Sequence, residues 1–124
     1  MVYGAFLADR DLPTIQVPIA FRETVLLPTF ILDTGFSGDI KVDHQTADEL
    51  GIVAQAVTYI DNANGERVAA QLSQGYAELE NKKKPVAIII ADGPPLAGMG
   101  LFTMFEYKVV VDCKNKTAHL ESTT

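Results

Sequence analysis

The chain has 124 residues, 48% of them hydrophobic and 21% charged, with a net charge of −6 and a single cysteine. That length and apolar content suffice for one packed domain, expected over residues 1–124, without metal or disulfide staples. The acidic balance repels a phosphate backbone and so argues against nucleic-acid binding, and Cys113, being alone, excludes an intrachain disulfide and suits a reducing compartment.

Residues 1–7 lack a basic n-region and run into Asp9, Arg10 and Asp11 too early for a signal peptide. The longest apolar run, residues 86–91, is too short to span a bilayer. A cytoplasmic protein with no membrane partner is therefore expected. Residues 14–21 and 24–32 are rich in β-branched side chains and predict strands joined at Arg22-Glu23, with Pro28 requiring an edge or a bulge. A short extended piece over 39–42 leads to Asp43, an N-cap for a short helix that ends at Leu50 before Gly51.

Residues 52–60 and 66–72 flank the turn signal Asp61-Asn62-Ala63-Asn64-Gly65 and predict a long, Gly-tipped hairpin. Two further strands, 74–80 and 85–91, are expected on either side of a solvated turn at Lys82-Lys83-Lys84. Asp92-Gly93-Pro94-Pro95 breaks the chain. Residues 98–105 predict a helix whose Met99, Phe102, Met104 and Phe105 serve as core. Strands over 107–111 and 117–120, turning at Lys114-Asn115-Lys116, close the molecule. Many short strands with two short helices predict an all-β barrel or sandwich. An apolar strand leading to Asp and Gly, then a short strand and a helix, occurs at 30–35 and again at 88–93, as two half-barrels of similar design would show.

The chemistry concentrates in Phe30-Ile31-Leu32-Asp33-Thr34-Gly35-Phe36-Ser37-Gly38. An apolar strand delivers one carboxylate, and the glycine after it permits a sharp turn and close approach of a partner. Asp-Thr-Gly by itself arises by chance in roughly one chain of this size in fifty at average residue usage. A strand ending in an Asp/Gly turn is the plain structural alternative, so the wider context has to decide.

That context resembles the retropepsin-like aspartic proteases, and most closely their small prokaryotic single-domain members. Ile31-Leu32-Asp33-Thr34-Gly35, a Gly-tipped hairpin, and Pro95-Leu96-Ala97-Gly98-Met99-Gly100-Leu101-Phe102 match in order, over about residues 14–120. The resemblance implies an all-β acid-protease closed barrel with two short helices, active as a homodimer. It implies an aspartic endopeptidase with no cofactor or metal, acting on polypeptide substrates through a water activated by Asp33 from each subunit. Two such carboxylates cannot both ionise and share one proton.

By the same resemblance, Thr34 would hydrogen-bond across the interface beneath the pair, and Gly35 would offer its backbone to the substrate. Asn62, Ala63, Asn64 and Gly65 would tip a flap over an extended peptide. Gly98 would let the chain pass closely behind the catalytic strand, with Leu96 and Leu101 lining core or pocket. Phe36 stands where the family more often has Ala or Ser, so its ring either narrows a subsite or packs outward. Ser37 replaces an acid of the retroviral members, which bears on recognition of the substrate backbone.

With one Asp-Thr-Gly per chain, the two-carboxylate mechanism that the resemblance implies demands a two-fold axis through the site. Asp92, crowded by Gly93-Pro94-Pro95, is expected to be a turn residue. His44 and His119 lie far apart and form no ligand-spaced cluster. Gly98-x-Gly100 lacks the third glycine of a dinucleotide fingerprint. Two other readings remain: a dimeric peptide-binding or assembly module that does not cut, and a peptidase domain within a longer chain. The intact Asp-Thr-Gly weighs against the first; the Met1 start and the lack of linker-like ends weigh against the second.

Overall fold

Prolines and turn residues decide where the apolar runs break into strands. In a computed structural model that describes residues 1–61 and 64–123, the first run divides at Val17-Pro18 into β3 (Pro13–Gln16) and β4 (Ile19–Phe21). The second divides at Leu27-Pro28 into β5 (Thr24–Leu26) and β6 (Thr29–Leu32). Pro28 thus sits between strands, where its missing N–H removes nothing from a ladder. Two short strands precede them, β1 (Val2–Tyr3) and β2 (Ala5–Phe6), in a stretch where no strand was expected.

The 39–42 piece becomes β7 (Ile40–Val42), followed by α1 (His44–Leu50). The caps are as expected: the Asp43 carboxylate accepts from the Thr46 N–H, and Gly51 closes the helix in the left-handed region at φ 71°. The hairpin forms from β8 (Ala56–Asp61) and β9 (Arg67–Leu79), the latter running unbroken where two strands were expected.

The lysine turn is a correction. β10 (Lys82–Ile90) pairs Lys82 with Leu79, so the turn is Glu80-Asn81, both at positive φ, and the three lysines lie within a strand. Asn tolerates the left-handed region that a two-residue hairpin loop requires. The lysines remain in a ladder because their ammonium groups settle over rings: Lys82 over Tyr107, Lys83 over Tyr76 and Lys84 over Phe105. The chain continues through β11 (Leu96–Ala97), α2 (Met99–Phe105), β12 (Tyr107–Asp112) and β13 (Thr117–Ser122).

Among the described residues, ten strands form one sheet in the order β2-β3-β6-β11-β7-β10-β9-β4-β5, with β8 on β9; β1-β13-β12 form a second. The large sheet curls as a half-barrel. Its inner face carries the core. Phe30, Ile40, Val42, Ile88 and Ala97 are fully buried there, packed with Leu101, Phe102 and Phe105 of α2 and Leu50 of α1. Each large side chain in that set contributes about 1.5–3 kcal/mol by leaving water. The order strand, loop, short strand, helix occurs twice, from β6 to α1 and from β10 to α2.

The arrangement of β6, β11 and β7 places the site. β11 pairs parallel with β6 and antiparallel with β7, and so lies between two strands that are consecutive in sequence. The loop over 33–39 must therefore arch across the end of β11. No helix among the described residues is long and apolar enough to cross a membrane.

Candidate active site

Asp33 follows the last residue of β6, whose Phe30 and Leu32 are anchored in the core. Its own N–H donates to the Ala97 carbonyl at 3.0 Å, which extends the β6–β11 ladder by one residue. The loop then turns back on the carboxylate. Gly35 N–H donates to Asp33 Oδ1 at 2.9 Å, and Phe36 N–H to the Asp33 carbonyl at 3.1 Å. Asp33 is half-buried, while Thr34 and Gly35 are exposed beside it. A residue fixed through its backbone, with one carboxylate oxygen held by the Gly35 N–H, thus stands half-buried at the surface.

The far side of the loop is held by the segment entering α2. Gly98 N–H donates to Asp39 O at 3.0 Å, Met99 N–H to Phe36 O at 2.8 Å, and Gly100 N–H to Gly38 O at 3.1 Å. Gly98 is the residue that permits this approach. A Cβ there would fall on the carbonyl oxygens of Gly38 and Phe36 and on the Phe36 ring. Its φ of −117° is ordinary, so close packing alone requires the glycine. Gly98 thus lies against the loop that follows β6.

The Phe36 ring is half-buried and folds back over Gly38 and Gly98, two positions with no side chain, rather than packing outward. Ser37 is exposed. Leu96 is half-buried, paired with Ile31 on one side and Lys41 on the other, whereas Leu101 is fully buried and belongs to the core. Asn64 and Gly65 lie at the exposed end of the hairpin, with Gly65 at φ 78°. Asn62 and Ala63 lie outside the described residues. Asp92 sits in a bend with its side chain fully exposed, 3.7 Å from His44.

Two residues at this site carried no sequence signal that was used. Asp39 accepts the Ala87 N–H at 2.8 Å and so ties the loop to β10. Lys41 is 8% exposed, and its ammonium donates to the Pro94 carbonyl at 3.3 Å. Burial lowers the Lys41 pKa, against the pull of the Asp92, Asp33 and Asp43 charges. A lysine between Ile40 and Val42 in a short apolar strand was the available signal for it.

Two surface hollows lie away from Asp33, one against Pro18, Val25 and Tyr76 and another between Phe21, Glu23 and Gly51. Among the described residues, no group of three or more His, Cys, Asp and Glu side chains is gathered as for a metal ion.

No protein-family model and no curated protein sequence matches the chain. Solved structures do. A retropepsin-like aspartic protease from Rickettsia conorii superposes with a TM-score of 0.66 at 19% identity, over 98% of this chain and 89% of that one. EIAV protease complexed with the inhibitor HBY-793 gives a TM-score of 0.64 at 17% identity, over 85% of this chain and 98% of that one. The chain therefore has the retropepsin-like aspartic protease fold. At these identities the likeness defines architecture, and chemistry has to be argued from the site.

Proposed function

We propose that the protein is a homodimeric aspartic endopeptidase that hydrolyses peptide bonds in extended segments, with Asp33 of each subunit forming the catalytic pair. The observation that carries this reading is the Asp33 carboxylate: held by its own loop at the end of a core strand, yet opening outward beside exposed Thr34 and Gly35. A lone carboxylate in that position is half of a machine. Asp92, the rival within the chain, points into solvent toward His44. A two-fold axis beside Asp33 supplies the second carboxylate from an identical chain.

In that pair the two carboxylates, about 3 Å apart, share one proton. The ionised one removes a proton from a water as the water oxygen bonds to the scissile carbonyl carbon. The protonated one gives its proton to the carbonyl oxygen. The resulting tetrahedral diol is not bonded to the protein. It collapses as a hydroxyl proton returns to a carboxylate and the amide nitrogen is protonated and leaves. Thr34 braces the two loops across the axis, and Gly35 meets the substrate backbone. The β8–β9 hairpin covers the peptide, Leu96 lines the cleft, and Ser37 and Phe36 flank its end. The reading includes a single domain working in the cytoplasm.

Mass spectrometry of a diverse peptide library incubated with wild type and with Asp33→Asn tests it. Cleavage by wild type, reduced about a thousandfold or more in the variant, is the expected result. Cleavage that survives the substitution would rule out the mechanism. Peptides bound by both forms and cut by neither would make the chain a binding module of the same fold.

A further inference from the structure

The sheet around Asp33 has two faces of different character. Phe30, Leu32, Ala97, Ile40, Val42, Ile88 and Ile90 point into the core and are buried. The alternate residues form a row across five strands: Ile31, Leu96, Lys41, Ile89 and Leu72, joined pairwise by the register of β6, β11, β7, β10 and β9. Ile31 is two residues before Asp33, so this row shares the face of the catalytic carboxylate. It ends at the base of the hairpin, where Gln55 N–H donates to Leu72 O at 2.8 Å. All of its members except Lys41 are apolar and half-buried. An apolar wall between a carboxylate and a projecting hairpin is the surface that an extended peptide would lie against.

Lys41 interrupts that wall with a cation. An ammonium carries three donors, and among the described residues Lys41 uses one, the long bond to Pro94 O. No carboxylate among the described residues lies within ion-pair distance of it. The charges that attract it are more distant: Asp92, fully exposed and so screened by water; Asp33, of the reacting pair; and Asp43, engaged in capping α1. Burial outweighs all three. A part-buried ammonium whose other two donors meet no described residue is open to an anion that can complete it.

We propose that Lys41 is a specificity-determining residue that receives an acidic side chain of the substrate, aspartate or glutamate, in the cleft beside the Asp33 pair. The proposal rests on the peptidase reading above. Two strand spacings separate the Ile31 and Lys41 positions, about 10 Å, which places the acidic residue within about three residues of the scissile bond. Leu96 and Ile89, on either side of Lys41, hold the aliphatic stem of that residue. The carboxylate takes the free donors of the ammonium.

The test is a library of ten-residue peptides containing matched Glu/Gln and Asp/Asn twins, digested by wild type and by Lys41→Met, which keeps the length and apolar stem of the side chain. Wild type is expected to cut acidic twins about tenfold or more faster than neutral ones at one fixed position. Lys41→Met is expected to bring the ratio to about one while still cutting the neutral peptides. Equal rates for twins with wild type, or a preference that persists in Lys41→Met, overturns the proposal. A wild type that cuts nothing refutes the peptidase reading, and a second arm then decides. Asp33→Asn and Asp33→Asn/Lys41→Met are each used to retain peptides from the same library. Enrichment of acidic twins by the first and not by the second supports the proposal; equal retention of twins, including retention of neither, overturns it.

Discussion

The loop over residues 33–39 and the β8–β9 hairpin are both polar, glycine-bearing excursions from the sheet, and they are held in opposite ways. The loop is tied to three elements distant in sequence: β11 through Ala97, the start of α2 through Gly98, Met99 and Gly100, and β10 through Ala87. The outer part of the hairpin is held mainly strand to strand, before β9 joins β10 at Gln71. β8 pairs with β9, Arg67 faces Asp61 at 3.7 Å, and Val57, Tyr59 and Val68 stand exposed. On the proposed reading, a carboxylate that meets its copy within a few tenths of an ångström needs the first kind of support. A cover that would admit a peptide and close over it needs the second, because local opening is easiest where few apolar contacts are buried.

Breaking the loop's support is expected to have the largest effect. Gly98→Val forces side-chain atoms onto the Gly38 and Phe36 carbonyls and the Phe36 ring. It should cost about 1–3 kcal/mol of stability in thermal or denaturant unfolding. It should also abolish cleavage in the fraction that stays folded, by displacing Asp33. Retained activity would mean that the loop is not held from this side. Asp39→Ala removes one tie, the acceptor for Ala87 N–H, and should cost about 0.5–1.5 kcal/mol.

The hairpin should behave in the reverse sense. Tyr59→Ala, at a side chain that is mostly exposed, should change stability by less than about 0.5 kcal/mol. It should nevertheless lower kcat/KM on extended peptides. Amide hydrogen exchange should be faster over β8 than over β6 or β10; equal protection would erase the contrast.

A further expected effect, away from the site, is in pH. The Asp43 carboxyl lies below its ordinary range because it accepts the Thr46 N–H at the start of α1. A carboxyl with a depressed pKa in the folded state stabilises that state above its unfolded value. The contribution is lost as pH falls through the folded value, here below about 4. Asp43→Ala should remove about 1 kcal/mol near neutral pH and flatten this acid limb; an unchanged limb would assign it to other carboxylates.

The same contrast explains what could be read from the sequence. Features closed by near neighbours were legible: the Asp43 cap, the Gly51 stop, the Arg22-Glu23 turn, and the hairpin around Gly65. The lysine turn failed because Glu80-Asn81 and Lys82-Lys83-Lys84 are both polar, and only the rings of Tyr76, Tyr107 and Phe105, brought together by folding, keep the lysines in the strand. The place of Asp33 at the end of an apolar strand was legible through its motif. Asp39 and Lys41 were not, since the groups they meet, Ala87 and Pro94, lie about fifty residues on. Phe36 could be placed only once Gly38 and Gly98 were seen to leave room for its ring.

The central claim, that Asp33 of two chains makes one site, is tested most directly by subunit mixing. Wild type is equilibrated with a ninefold excess of Asp33→Asn at concentrations where the dimer forms, and cleavage of a library peptide is followed. If both carboxylates are needed, random pairing leaves about a tenth of the wild-type chains with a wild-type partner, and the rate falls to about a tenth. A rate unchanged by the excess would contradict the account and assign the chemistry to a single chain.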